Sequence, residues 1–302
     1  MSVLVLGATG LIGNRLVRTL STDLEVFGTT RQTSLINSKF SSLLKESNWL
    51  FNVSPKQLFE LEGKIQKIKP NTIVNCLGVT KPKDGVVNLQ ESILVNSLFP
   101  HQLSAMCSES NIRLIHLSTD CVFSGAKGNY VEADIADPVD IYGKTKNLGE
   151  LINEYDLTIR TSFVGREIST FANLFEWAIK NRNTRIRCYA RAIYSGLTTL
   201  ALSKIIKIII LEQPDLSGLW HISSEPISKF ELLSRLNWEL SLNLDIELDE
   251  TFICDRSLNS ELFRKRTQIE IPNWSEMLTD FRKDQSWYQN QINSELSGAC
   301  ES

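Results

Sequence analysis

The chain has 302 residues, of which 42% are hydrophobic and 22% charged, and its net charge is −3. That balance excludes the basic footprint of a nucleic-acid binder, and no apolar run reaches the ~20 residues of a membrane span. A chain this long buries roughly 75% of its unfolded surface, enough for one large domain or two fused ones. It opens on an apolar strand, Val3–Leu6, with no basic region and apolar core of a secretory leader before it. Six cysteines lie scattered without CxxC spacing, and there are only three histidines. Reduced thiols and a cytoplasmic location are therefore expected, with no metal site, and the Asn52-Val53-Ser54 sequon is expected to be idle.

The strand runs into Gly7-Ala8-Thr9-Gly10-Leu11-Ile12-Gly13 and a helix from Leu11. Further strands are predicted at Glu25–Thr29, Trp49–Asn52, Thr72–Leu77, Arg113–Leu117 and Leu157–Thr161. Helices are predicted from near Ser34, Ser54, Val87 and Pro138. Strict alternation of strand and helix predicts an α/β fold, a Rossmann-type doubly wound parallel sheet with helices on both faces. After Gly165 the alternation loosens. Helices Phe171–Lys180, Leu200–Leu211 and Lys229–Leu240, a strand at Gly218–Ile222 and an extended Ile246–Asp255 follow. Ile205–Leu211, the most apolar stretch, carries Lys207 and reads as a buried helix. The expected division is a nucleotide-binding domain over 1–165, to which the chain returns near 193–221. A smaller C-terminal lobe is expected from 166–192 and 222–302, ending in a loosely ordered polar tail after Gln289.

Ligands of such sheets lie beyond the carboxyl ends of the strands, which is where the polar signals sit. In the glycine turn, residues Gly7, Thr9, Gly10, Leu11, Ile12 and Gly13 can bring backbone N–H groups against a pyrophosphate. The second strand ends in Thr29-Thr30-Arg31 and offers no carboxylate to a ribose 2′-hydroxyl. Arg31, and Arg15 in the first helix, can pair instead with a 2′-phosphate, although Arg31 also fits a solvated surface charge. The pattern therefore favours NADPH, with NADH the alternative. Asn52 is placed to read the adenine edge, and Asn75 and Gly78 end the fourth strand beside the cofactor.

Ser118-Thr119-Asp120 and Tyr142-Gly143-Lys144-Thr145-Lys146 carry the proton chemistry. A free phenol, with a pKa near 10, is a poor acid at neutral pH. Lys146 lies one helical turn from Tyr142, so its charge can favour the phenolate. Tyr142 then serves as proton donor to a carbonyl, with Thr119 orienting the same oxygen and Ser118 as its alternate. Lys146 also holds the ribose hydroxyls. Asp120 reads as a turn or helix-capping carboxylate.

These motifs resemble the extended short-chain dehydrogenase/reductase superfamily, and within it the dTDP-4-dehydrorhamnose reductases. The likeness continues through Gly149-Glu150, Ile159–Ser162, Trp220-His221-Ile222 and Arg256–Ser260, so it covers nearly the whole chain. It implies reduction of a nucleotide-linked 4-keto-6-deoxyhexose in deoxysugar and surface-polysaccharide synthesis, with Thr119, Tyr142 and Lys146 as catalytic trio. Three departures stand out. Cys121 replaces the usual tyrosine, Asn75–Gly78 replaces an alanine-rich stretch, and Arg256 lacks the proline that usually follows. They leave the sugar and the base, dTDP or UDP, open. Arg191 and Arg256 are candidate ligands of the substrate diphosphate, or alternatively tethers between the two lobes. An epimerase or dehydratase of the same superfamily is a competing reading, though Cys121 after Asp120 leaves no Thr-Asp-Glu acid pair. A non-catalytic subunit, like a relative that binds methionine adenosyltransferase, is another. The oligomeric state stays open, a homodimer included.

Overall fold

The structure, a computed structural model, describes residues 1–34, 40, 42–80, 88–168 and 173–298, with backbone alone for 289–298. The first strand, β1 (Ser2–Leu6), is wholly buried, as its unbroken apolar run requires of a central parallel strand. It is followed by α1 (Leu11–Leu20), β2 (Glu25–Thr29), β3 (Trp49–Leu50), α2 (Leu58–Ile68) and β4 (Thr72–Asn75). Next comes α3 (Leu89–Ile93), then a wide π-helical turn over Leu94–Leu98 that leads into α4 (Phe99–Glu109). β5 (Arg113–Leu117), α5 (Ile141–Leu148) and β6 (Leu157–Arg160) complete the regular alternation.

The helix predicted from Ser54 starts four residues later. The helix predicted from Ser34 falls largely on 35–39 and 41, and the starts predicted at Val87 and Phe171 also lie outside the described residues. Cys300 lies outside them too.

After β6 come β7 (Phe163–Val164), α6 (Leu174–Lys180), β8 (Arg185–Tyr189), β9 (Ala192–Tyr194) and β10 (Leu197–Thr198). They are followed by α7 (Thr199–Glu212), β11 (Gly218–His221), β12 (Ile227–Ser228) and α8 (Lys229–Leu240). The chain closes with β13 (Asp245–Asp249), β14 (Cys254–Asp255), α9 (Glu261–Thr267) and α10 (Trp274–Gly298).

Seven parallel strands form the main sheet in the order β11-β6-β5-β4-β1-β2-β3. The strand order reverses at β1, so the ends of β1 and β4 diverge and leave a crevice, the site where such sheets take ligands. α7 packs on α1 and is buried along most of its length, Lys207 reaching out to pair with Asp23.

Smaller sheets build the second lobe: β13 pairs with β8, and β9 lies between β12 and β14. Within the stretch 193–221, β9 pairs with β12 and β14, β10 pairs with β7, β11 joins the edge of the main sheet and α7 packs on α1. The tail expected to loosen after Gln289 instead continues as helix to Gly298. Among the described residues no helix is long and apolar enough to cross a membrane.

Candidate active site

The glycine turn is built by close packing. Gly7 has a left-handed φ of 78°, and a Cβ on Gly13 would lie 2.0 Å from the Gly7 carbonyl oxygen. α1 can therefore begin directly against the end of β1 only with glycine at both positions. Gly7 N–H donates to Thr29 Oγ1 (3.0 Å) and Gly10 N–H to Gly7 O (2.9 Å). Gly10 caps α1 without a side-chain acceptor, and no acidic residue stands in the first turn. The N–H groups of Leu11, Ile12 and Gly13 thus face outward uncapped, the arrangement that suits a pyrophosphate. The Ile12 side chain is buried in the core.

A groove of about 470 Å³ runs along this edge. It starts at Thr30, Arg31, Ser54 and Lys56, crosses Gly7, Thr9 and Gly10, and reaches Gly78, Val79 and Thr80. A second cavity shares Val79 and Thr80 and continues to Asp140, Ile141 and Tyr142. Buried Asn96, in the π-helical turn, holds the joint. It accepts from Val79 N–H (2.8 Å) and donates to Val79 O (2.9 Å) and Thr145 Oγ1 (3.1 Å). A π turn at a functional site is a recurrent use of that geometry, and no residue pattern announces it. Neither the Ser54–Lys56 edge nor the Asn96 clamp was among the predicted site residues.

Thr119 lies two residues past β5 and caps a short 3₁₀ turn, accepting from Cys121 N–H at 3.2 Å. α5 starts at Asp140, whose side chain accepts from Gly143 N–H (2.8 Å), and this sets Tyr142 on its first turn. Thr119 stands beside the Tyr142 phenol as a hydrogen-bonding neighbour, and its Oγ1 donates to Asp120 Oδ1 at 3.1 Å. Burial, with Cys121, Asp120 and Asp140 nearby, raises the phenol above its usual range, and the Thr119 bond only partly opposes this. The expectation that Lys146 lowers the phenol's pKa is not met in this arrangement. Buried Lys146 turns inward and donates to Leu117 O at 2.6 Å. Desolvation brings its pKa down to about 8 despite the charge of Glu150. The phenol is accordingly protonated at neutral pH, the form a proton donor needs.

Several predicted residues take other roles. Arg15 does not face the ribose end of the groove; it pairs with Asp284 of α10 at 2.5 Å, on the opposite side of α1. Asn75 is fully buried, its Oδ1 accepting from Leu77 N–H (3.1 Å) and its Nδ2 facing His116 Nδ1 (3.1 Å), so it organises the strand ends and lies away from the groove. Asn52 sits in a left-handed turn (φ 55°) and does not line the groove, whereas Val53 and Ser54 do. Ser118 is buried and donates to Glu150 Oε1 at 2.6 Å, so Thr119 alone remains beside the phenol.

Arg191 is exposed at the entry to β9. Arg256 reaches the turn after Thr119, its Nη1 donating to Cys121 Sγ at 3.2 Å and its charge opposing the rise in Asp120's pKa. Cys121 is itself pushed up to about 12 by burial. Among the described residues no cluster of three or more His, Cys, Asp or Glu is arranged to hold a metal.

An uncapped helix start, a groove at the sheet's reversal point and a Thr–Tyr pair at its far end form one architecture. The RmlD substrate binding domain family matches residues 1–237. The chain belongs to this family. A dTDP-4-keto-6-deoxy-D-glucose reductase from Streptomyces niveus is 26% identical over 281 residues, 90% of each chain. The crystal structure of a hypothetical dTDP-4-dehydrorhamnose reductase from Sulfolobus tokodaii superposes with a TM-score of 0.76 at 24% identity, covering 91% of this chain and 98% of its own. A dTDP-4-dehydrorhamnose reductase from Bacillus anthracis, in complex with NADP, superposes with a TM-score of 0.74 at 22% identity, covering 93% and 98%. Both structures share the fold predicted from the strand–helix alternation, and the family is the one that the motifs resembled.

Proposed function

We propose that the chain is an NADPH-dependent ketoreductase acting on a nucleotide-linked 4-keto-6-deoxyhexose, with dTDP or UDP as the carrier. The observation that carries this reading is the protonated Tyr142 phenol, beside Thr119, at the end of a groove that starts on an uncapped glycine turn. The named relatives support it.

The residues fit a dinucleotide. The N–H groups at the start of α1 would take the pyrophosphate, and Arg31 would take the 2′-phosphate. Gly78, which carries no side chain, lies at the nicotinamide end. When bound, NADPH supplies the hydride. Tyr142 donates its proton to the carbonyl oxygen, and Thr119 Oγ1, turning from Asp120 Oδ1, orients that oxygen by a second hydrogen bond. Lys146, now donating to Leu117 O, would hold the ribose hydroxyls, where its charge would favour the phenolate left after transfer. The sugar diphosphate would lie between the carboxyl edge of the sheet and the small lobe, with Arg191 and Arg256 as its ligands.

Loss of NADPH absorbance on mixing the protein with a panel of dTDP- and UDP-4-keto-6-deoxy sugars tests the reading. No turnover with any member of the panel would refute it.

A further inference from the structure

Beneath the catalytic lysine lies a buried polar chain that the proposed mechanism does not use. His116, on β5, is fully buried and lies between two partners: its Nδ1 is 3.1 Å from Asn75 Nδ2, and its Nε2 is 3.4 Å from Lys146 Nζ. The orientation of the Asn75 amide is set independently, because its Oδ1 accepts from Leu77 N–H at 3.1 Å. Asn75 Nδ2 must then be a donor, and His116 Nδ1 the acceptor. A neutral imidazole carries one N–H, so it stands on Nε2, facing the lysine. A neutral amine can accept that bond through its lone pair while donating to Leu117 O, 2.6 Å away. An ammonium offers no lone pair, and the ring N–H opposes it.

We propose that His116 is a positioning residue that docks Lys146 in its withdrawn pose, with Asn75 fixing the ring tautomer that makes the dock selective for the uncharged amine. Burial keeps the ring neutral, and any charge on Lys146 or His101 disfavours its second proton further. The groups acting on Lys146 itself are Glu150 just beyond its own helix, Cys76 beyond β4 and His116 on β5. Its lowered pKa, about 8, agrees with the arrangement. The dock would release the lysine to the ribose side as it gains its proton. The inference deepens the reductase reading, since it assigns a partner to that site's lysine, but its first test does not depend on activity.

Ring ¹⁵N NMR of the protein alone, with its three histidines assigned by substitution, should show His116 Nδ1 unprotonated and Nε2 protonated from pH 7 to 9. An Nδ1–H ring or a doubly protonated ring overturns the proposal. In Asn75→Ala the Nδ1–H tautomer should appear, and a ring that stays wholly Nε2–H removes Asn75 from the chain of control. With NADPH as the varied substrate, kcat/KM reports the free enzyme and should fall as Lys146 loses its proton. In His116→Leu that alkaline limb should move to higher pH by at least about half a unit, because the N–H that favours the amine is gone. His116→Gln, which can present an amide N–H, should restore it. An unmoved limb in His116→Leu with a wild-type melting temperature means that the ring only fills space. If no ketone is reduced at all, the reductase reading fails, and the NMR result still decides the dock.

Discussion

Removing the Glu150 side chain should damage stability and pH dependence together. Glu150 receives a two-pronged contact from Arg160, Nε to Oε1 and Nη2 to Oε2, each at 2.8 Å, and Ser118 Oγ adds a third bond at 2.6 Å. The two side chains of the ion pair are 1% and 4% exposed. In Glu150→Ala the guanidinium stays buried without its partner, a loss of about 3–5 kcal/mol for pairs of this kind. A chain of 302 residues has an unfolding entropy near 0.6 kcal/mol/K at about 2.1 cal/mol/K per residue, so Tm should fall by about 5–8 °C. The carboxylate also raises the pKa of Lys146. Without it the lysine falls further below about 8, and the alkaline limb of kcat/KM moves to lower pH, opposite to the shift expected of His116→Leu. Differential scanning calorimetry and a pH–rate profile measure the two effects. A Tm within about 2 °C of wild type, with the limb unmoved, would refute the reasoning on both counts.

Tyr142→Phe keeps the ring's packing and removes the acid, so kcat should drop by at least ~100-fold while NADPH affinity measured by fluorescence titration stays nearly intact. Arg31→Ala should weaken NADPH by about 10- to 100-fold and leave NADH unchanged, the effect of losing charge-assisted bonds to one phosphate; equal use of both cofactors by wild type and variant would show that Arg31 does not read it. Arg191→Ala and Arg256→Ala should raise KM for the sugar nucleotide without changing Tm or NADPH affinity; a lower Tm with unchanged KM would make them tethers between lobes.

The strands were legible because a central parallel strand must be apolar on both faces. The strands Val3–Leu6 and Arg113–Leu117, like the helix Lys229–Leu240, kept their predicted bounds to within a residue. Local chemistry also pointed correctly to the glycine turn, where backbone approach leaves little freedom in residue type, and to the helix that carries Tyr142. The misplacements involve partners far away in the chain. Nothing near Arg15 announces Asp284, 269 positions further on, and Ser118 finds its acceptor in Glu150 across a helix and a loop. Asn75 looked like a groove residue because it ends a strand, but a strand end has two faces, and its side chain takes the inner one. The inward pose of Lys146 was equally invisible, since a four-residue spacing shows which helix face a lysine occupies and not which of several acceptors it chooses.

The link between α1 and α10 bears on the order in which the protein can be assembled. Arg18 stacks on Trp287, 3.6 Å from the ring centroid, and shares Asp284 with Arg15. These partners lie beyond residue 237, where the family match ends. On the ribosome, the helix that begins at the cofactor turn is made first, yet two of its arginines find their anion and aromatic cover only in the final helix. The nucleotide-binding half is therefore the first to be synthesised and among the last to be completed. A nascent chain halted at the end of α9 would hold a finished sheet with an unfinished cofactor helix. Loss of the C-terminus, by a premature stop or by a protease, would be felt at the opposite end of the sequence.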